Sequence, residues 1–249
     1  MNKNLTLSLG LILLFSFQNL SAQVASTKKS DMVLTEQELG QIAQFGSTTK
    51  AARSYDSRYQ GIKGTPYWND GVRSAMVKFK DKEEWVEIKA NLNLEDHLLM
   101  VVLKEDEDIF KVKASSVEEI KFADEPYPFV SIRNKEMAWN ESSYAFASKL
   151  HSAKYHLVKV TNKVFKKADF ENAYSTDQRY DEFQVKEAYW FSTTGKSFKK
   201  IKLGKKGLQN ALPKRAKAIA KILKENDLNP KEENDAIKLI ELLEAQLKK

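Results

Sequence analysis

Apolar and polar residues alternate in short runs across residues 72–203, and a period of two residues is typical of half-buried β-strands. In the first run Ala75, Val77 and Phe79 occupy alternate positions, and a polar turn at 81–83 leads into a second run of the same kind. Two alternating runs joined by a short polar turn form a β-hairpin. The series therefore begins with a predicted hairpin.

Eight further runs continue this series, separated mostly by short polar turns. Because a parallel return requires a crossover of about a dozen residues, short turns favour an antiparallel meander. The pattern predicts an α+β protein that is mainly β, with a sheet that curls into a sandwich or an open barrel. The eight runs cover residues 98–103, 109–114, 117–122, 129–133, 144–150, 154–160, 185–191 and 197–203.

After Gly204 the apolar period becomes helical, with most apolar residues on one face. Pro213 is predicted to start the second of two helices, because proline is tolerated in the first helical turn. Asn229 and Pro230 resemble a cap and first turn for a last helix. Residues 204–249 are thus expected to end in a helical hairpin whose apolar stripes face each other or the sheet.

The amino terminus resembles an export signal. Lys3 gives a positive start, an apolar run follows at 11–17, and Leu20-Ser21-Ala22 has the small-residue pattern of a cleavage site. The alternative is a retained membrane anchor, but polar residues interrupt the roughly 20 apolar positions that a spanning helix needs. We expect a signal peptide at 1–22 and an exported protein that is periplasmic, associated with the outer membrane, or secreted.

Between the signal and the sheet, residues 23–60 are expected to form a leader with one short helix at 36–45. The predicted organisation is completed by a β domain at 61–203 and a basic helical hairpin at 204–249. The chain has no cysteine, which excludes disulfides and thiolate metal sites. It also excludes a lipidated cysteine anchor.

The positive charge of the chain is concentrated at its carboxyl end. Residues 23–195 carry 25 basic and 27 acidic side chains, whereas residues 196–249 carry 15 and 7. A basic segment attracts anionic polymers or lipids, and outside the cytoplasm we do not expect nucleic acid as the partner. The alternative is a solvated lysine-rich helix face. The residues proposed to bind an anionic partner are Lys205, Lys206, Lys214, Arg215 and Lys217.

Motifs with catalytic or metal-binding chemistry are missing from the sequence. The three histidines have no ligand spacing and are expected at the surface or at strand edges, and the acidic run at 105–108 resembles a solvated turn. Thr194-Gly195-Lys196-Ser197 lacks the earlier glycine of a phosphate loop and is predicted to be a hairpin turn. We predict no catalytic residue, no metal and no cofactor, so a protein without enzymatic activity is favoured.

Aromatic residues are the remaining candidates for ligand contacts, because rings on an exposed sheet can stack on sugars or bases. Most are expected in the core. Tyr67 and Trp68, in an irregular segment, and Tyr127, between two prolines, are the ring candidates for ligand or partner binding. An alternative function follows from such rings: a carbohydrate-directed hydrolase that uses a pair of carboxylates.

The chain resembles a group of uncharacterised exported β-rich proteins of Bacteroidota. The resemblance rests on Ser21-Ala22-Gln23 at the end of the signal, on the segment Gly64 to Asp70 before the meander, and on Leu208 to Pro213 and Leu228 to Asp235 in the helical part. It departs at Asp81-Lys82, where the group has Asp-Gly. The resemblance implies envelope location and the order of the fold, and it implies no activity.

These observations favour a non-enzymatic exported protein that is a binding or accessory subunit of a periplasmic or outer-membrane assembly, with an envelope protein as partner. No later segment of the sequence is apolar enough to span a bilayer. An aromatic-lined pocket would indicate a small ligand, whereas a flat apolar patch would indicate a protein partner.

Overall fold

The fold is described from a computed structural model of the chain. The residues described are 46–49, 62–80, 82–102, 109–133, 143–168 and 180–247. All described residues belong to one compact unit, which lies within Val33–Lys249. The predicted helix at 36–45 and the acidic turn at 105–108 lie outside the described residues.

A single antiparallel sheet of eleven strands dominates the described part of the chain. This confirms the predicted fold class. The strands are β1 (Gly46–Thr49), β2 (Arg73–Phe79), β3 (Trp85–Asn93), β4 (Leu98–Val102), β5 (Ile109–Lys113), β6 (Val117–Phe122), β7 (Phe129–Arg133), β8 (Tyr144–Ser152), β9 (His156–Lys166), β10 (Glu182–Ser192) and β11 (Lys199–Ile201).

The sheet consists of a first meander, β2 to β5, and a second meander, β6 to β11, which are joined by the pairing of β6 with β2. Its strand order is β1-β5-β4-β3-β2-β6-β7-β8-β9-β10-β11. Strand β5 pairs with β4 on one side and with β1 on the other, so β6 cannot lie beside the strand that precedes it. A short 3-10 turn at Ala114–Ser116 leads the chain to β6, which pairs with the free edge of β2.

Alternate residues of β2 to β6 form the first core. Val77, Phe79, Ile88 and Ile120 are fully buried, and Phe146 from β8 packs into the same cluster. A strand buries every second side chain on the same face, so the two-residue period of the sequence corresponds to this face. Burying each large aliphatic or aromatic side chain contributes about 1.5–3 kcal/mol.

Three helices follow the sheet: α1 (Lys205–Ala211), α2 (Ala216–Glu225) and α3 (Glu233–Ala245). Pro213 opens a 3-10 turn that leads directly into α2, in agreement with its predicted role. The prediction for Asn229 was wrong by about one turn: its side-chain oxygen accepts a bond from the Lys231 amide, and α3 begins only at Glu233.

The helices cover one face of the second meander and form the second core. Leu157 and Phe191 from the sheet pack with Ile219, Leu239 and Leu243 from the helices. A smaller cluster around Trp190 lies on the opposite face of the same strands. None of the helices in the described part is long and apolar enough to cross a bilayer.

Residues 62–70 tie the two meanders together. At one end, the Lys63 amide donates to Asp181 O beside β10 over 2.9 Å. At the other end, Trp68 N donates to Leu92 O and Leu94 N donates to Pro66 O, both over 2.8 Å. We call residues 62–70 the strap, since they join the start of β10 to the end of β3.

Candidate functional site

A cavity of about 820 Å³ opens where the sheet ends and the helices begin. Its walls are the end of β10, the turn that follows, the last strand β11 and helix α1, with one residue from the turn before α3. We call it the basic cavity. Its lining residues are Phe191, Ser192, Thr193, Thr194, Ser197, Lys199, Lys200, Ile201, Lys202, Leu203, Gly204, Lys205, Lys206, Gly207, Asn210, Ala211 and Lys231.

The lining contains six lysines and neither aspartate nor glutamate. The sequence explains this imbalance, because residues 196–224 include eleven lysines and arginines and no acidic residue. Among the described residues, no carboxylate lies within ion-pair distance of any of the six ammonium groups. The basic cavity is therefore a local concentration of uncompensated positive charge. Its lysines are Lys199, Lys200, Lys202, Lys205, Lys206 and Lys231.

The cavity also has an apolar side that continues the second core. Phe191 is buried in that core, while Ile201, Leu203 and Ala211 are partly buried against it. Ile201 pairs with Tyr189 and Lys199 pairs with Phe191, so these side chains share the helix-covered face of the sheet. On this face β11 therefore places one ammonium group, that of Lys199, next to one apolar side chain, that of Ile201.

The turn between β10 and β11 forms one wall and is held by its own hydroxyls. Ser192 Oγ accepts hydrogen bonds from the amides of Thr194 (3.2 Å) and Gly195 (3.0 Å), and Thr194 Oγ1 accepts from the Lys196 amide at 3.3 Å. This confirms the predicted hairpin turn. These amides are already paired within the turn, whereas a phosphate loop directs its amides at the ligand.

Gly195 has a positive φ of 72°, and a Cβ atom there would meet the His156 ring at 3.0 Å. Glycine adopts this left-handed conformation without a steric penalty. The turn therefore lies close against the ring of His156, whose Nδ1 is 3.1 Å from Ser152 Oγ. Burial lowers the pKa of His156, and neighbouring His151 lowers it further.

Helix α1 lies unusually close to the chain that precedes it. A Cβ atom on Gly207 would lie far inside van der Waals contact with the carbonyl oxygen of Lys202. Only glycine permits this approach. Since both residues line the basic cavity, the missing side chain of Gly207 sets the distance between two of its walls.

Of the five basic residues predicted to bind an anionic partner, two line the basic cavity and three do not. Lys205 and Lys206 line the basic cavity. Lys214 and Arg215 are exposed on the 3-10 turn, and Lys217 is exposed in the first turn of α2. None of these three residues lines the cavity. Lys217, Lys221 and Lys224 follow one exposed face of α2, where Lys221 forms an ion pair with Glu225 at 3.7 Å.

The predicted aromatic candidates lie away from the basic cavity. Trp68 packs against the first core, with its ring edge-on to Phe129 at 5.1 Å between centroids. Tyr67 lies in the strap, where its carbonyl oxygen accepts a hydrogen bond from Lys163 Nζ. Tyr127 is partly buried against the second core. The structure therefore does not bring the three rings together with the lysines.

Four of the six cavity lysines were not predicted as site residues. Lys199, Lys200 and Lys202 lie in a lysine-dense stretch at 196–206, which was the available signal, but a charge run is also typical of a solvated surface. Lys231 is distant in the sequence and reaches the cavity because the turn before α3 folds back onto Gly204. Such a juxtaposition has no local sequence pattern.

The histidines were predicted to lie at the surface or at strand edges. This prediction was wrong for His97, which is buried and only 2% exposed. His151 and His156 lie at the ends of β8 and β9, and His151 Nε2 is 3.1 Å from Glu244 Oε1. Within the described ranges, no three histidine or carboxylate side chains form a group that would hold a metal ion.

No family model, no curated protein and no solved structure matches this chain.

Proposed function

We propose that this protein is a non-enzymatic exported binding protein of the cell envelope that holds an anionic ligand in the basic cavity. The observation that supports the ligand class is the lining itself, with six lysines and no carboxylate around about 820 Å³. Export is proposed from the signal-like residues 1–22. An envelope protein as a further partner stays a prediction from the sequence.

Electrostatics favours an anion in this cavity. Like charges gathered in one concave surface repel each other, and the low-dielectric walls of a cleft concentrate their field. An anion relieves that repulsion and gains several cations at once. Lysine binds phosphate and carboxylate groups as a point charge, without the fixed fork geometry of arginine.

The same lining favours binding over hydrolysis. A carbohydrate-directed hydrolase of the usual kind needs two carboxylates across a cleft, and the basic cavity contains none. It contains a single aromatic ring, that of Phe191, so no aromatic platform for a sugar lies there. The groups present are ammonium groups, hydroxyls and one amide, which hold an anion in place.

The test is calorimetric titration of the purified protein with sodium tripolyphosphate at 20 and 200 mM salt. We expect saturable binding that weakens at the higher salt, because screening reduces the attraction between exposed charges. The triple variant Lys199→Gln, Lys202→Gln, Lys205→Gln should bind at least tenfold more weakly.

A charge-matched control is the triple variant Lys217→Gln, Lys221→Gln, Lys224→Gln on the exposed face of α2. It removes the same three charges outside the cavity and should weaken binding less than threefold. Equal losses in the two triple variants would show that binding depends on net charge alone. Either that result or the absence of binding to the wild-type protein would contradict the proposal.

A further inference from the structure

We infer that the anionic ligand of the basic cavity is a single-chain amphiphile, with an acidic headgroup held by the lysines and an alkyl chain laid against the apolar side. This inference rests on the proposed function and specifies its ligand. It is motivated by the combination of cations and core-like apolar groups within one cavity.

The apolar side belongs to the core and is not a surface patch. Ile201, Leu203 and Ala211 pack partly against the second core, and Phe191 is 3% exposed. A ligand that reaches them would extend the apolar packing of the helix and sheet layer. Each methylene group transferred from water to such a surface contributes about 0.8 kcal/mol.

The uncharged polar side chains of the cavity are fewer than its lysines: four hydroxyls, at Ser192, Thr193, Thr194 and Ser197, and one amide. Ser192 Oγ already accepts two amide hydrogen bonds within the turn, and Thr194 Oγ1 accepts one. Asn210 is the only side-chain amide in the lining, and Phe191 the only aromatic ring. This composition favours an acidic headgroup over a neutral glycan.

The size of the cavity also fits a small amphiphile. Pockets for small molecules measure roughly 300–1,000 Å³, are lined mainly by apolar groups, and use a few polar groups to orient the ligand. At about 820 Å³ the basic cavity lies within that range. Lys199 and Ile201, neighbours on one face of β11, would hold a headgroup and the first part of a chain together.

The experiment compares butyl, hexyl and octyl phosphate with inorganic phosphate, all below their micelle concentrations, by calorimetry on the purified protein. Two added methylenes should lower Kd by about tenfold, since 1.4 kcal/mol corresponds to a factor of ten. Octyl glucoside, with a similar chain and no charge, should bind at least tenfold more weakly than octyl phosphate.

Two substitutions on the apolar side test the contact with the ligand's alkyl chain separately from the contact with its charged headgroup. Ala211→Trp fills the cavity beside α1, and Ile201→Thr shortens the apolar surface with little change in shape. Both should reduce the dependence of Kd on chain length, whereas the triple variant Lys199→Gln, Lys202→Gln, Lys205→Gln should weaken the binding of every alkyl phosphate and keep that dependence. Circular dichroism melting confirms that each variant is folded.

The outcomes distinguish this inference from the proposed function. If tripolyphosphate binds but Kd is independent of chain length, the ligand is a small or polymeric anion and the inference is wrong, while the proposed function stands. If phosphatidylglycerol vesicles bind and monomeric alkyl phosphates do not, the target is a membrane surface and the inference is again wrong. If no anion binds, both fail.

Discussion

His97 Nε2 lies 2.6 Å from the side-chain oxygen Oδ1 of Asn162, and both residues are buried. The other ring nitrogen, Nδ1, accepts a hydrogen bond of 3.1 Å from the backbone amide of Phe146. Since Nδ1 accepts, the proton of the neutral ring is on Nε2, which donates to Asn162. Burial lowers the pKa of His97 below its usual value, against smaller opposing effects of Asn162 and Asp96.

This histidine replaces a strand partner. The paired part of β8 begins at Ser148, which lies opposite Lys159 of β9. Phe146 comes before this paired part, so its amide has no partner on β9. His97, in the turn between β3 and β4, supplies the acceptor that β9 does not. The neighbouring Leu94 carbonyl accepts from the Lys163 amide at 3.2 Å, so the same turn also contacts β9. The turn between β3 and β4 therefore bonds to both β8 and β9.

The stability of the fold should depend on pH through His97. A histidine whose folded pKa is below its unfolded value of about 6.5 binds fewer protons when folded, so its stabilisation is complete above that pH and is lost below it. We expect the free energy of unfolding to be lower at pH 5.5 than at pH 7.5, because the unfolded chain binds this proton more readily. Urea unfolding at the two pH values measures this difference.

The variant His97→Asn tests the assignment. Asparagine tolerates the positive φ of 51° at this position but removes the ring, so it should cost about 1–3 kcal/mol at pH 7.5 and flatten the pH dependence. His156 also has a lowered pKa and serves as the control through His156→Gln, which should leave most of the slope. An unchanged slope in His97→Asn would refute the role of this residue.

Glu244 should anchor the last helix to the sheet. Its Oε1 accepts a hydrogen bond of 2.6 Å from the Tyr155 amide. Burial alone would raise the pKa of this carboxyl, but the bonds from Tyr155, the contact with His151 and the amide of Lys154 lower it overall. A lowered carboxyl pKa means stabilisation that is present above about pH 4.5 and is lost as the pH falls through the folded value.

We therefore expect Glu244→Gln to lower the free energy of unfolding by about 1–2 kcal/mol at pH 7, and by much less at pH 3, where the wild-type carboxylate is protonated. Glu241→Gln, exposed on the same helix, is the matched control and should change stability by less than about 0.5 kcal/mol. Equal effects of the two substitutions would contradict this account.

Gly207 should be intolerant of any side chain. Alanine at this position would place a methyl group against the Lys202 carbonyl, so α1 must move away from β11. We expect Gly207→Ala to cost about 1–3 kcal/mol of stability and to weaken tripolyphosphate binding. Asn210→Ala, exposed in the same helix, should be nearly neutral in stability. A fully stable Gly207→Ala protein with unchanged affinity would show that this close approach is not required.

Trp68 should stabilise the fold through both its ring and its indole nitrogen. Nε1 donates to Glu125 Oε1 over 2.9 Å, and the ring packs on Phe129. We expect Trp68→Phe to cost about 1 kcal/mol and Trp68→Ala about 3–5 kcal/mol in thermal unfolding. Trp85→Ala is the matched comparison, at a ring with Lys121 Nζ 4.1 Å from its centroid, and it should have a smaller effect than Trp68→Ala. Similar losses at the two positions would contradict the structural role of Trp68.

Much of the sheet could be predicted because strand burial is a local, periodic signal. The alternation of Ala75, Val77 and Phe79 corresponds to the buried face of β2, and the helical period after Gly204 corresponds to α1 to α3. The pairing of β6 with β2 could not be read in this way, since it depends on which sheet edges are free after β1 and β5 have paired. The residues that decide this pairing are spread along the chain, so no short segment of the sequence predicts it.

The candidate site could be predicted only in part. The excess of positive charge after residue 195 indicated an anionic partner, and Lys205 and Lys206 lie in the basic cavity. Lys231 joins them through a turn that packs beside Gly204, and the apolar side of the cavity comes from Phe191 on an earlier strand. His97 was mistaken for a surface residue because a single histidine in a turn has no periodic neighbours that indicate burial.

The most direct test of the proposed function is a nitrogen-15 NMR titration of the purified protein with sodium tripolyphosphate. The account predicts saturable shifts of the backbone amides that surround the basic cavity, between Ser192 and Ala211 and at Lys231, with one common Kd. The amides of α2 on its exposed face, around Lys221, should shift little. Shifts that are confined to α2, or that never saturate, would contradict a binding site in the basic cavity.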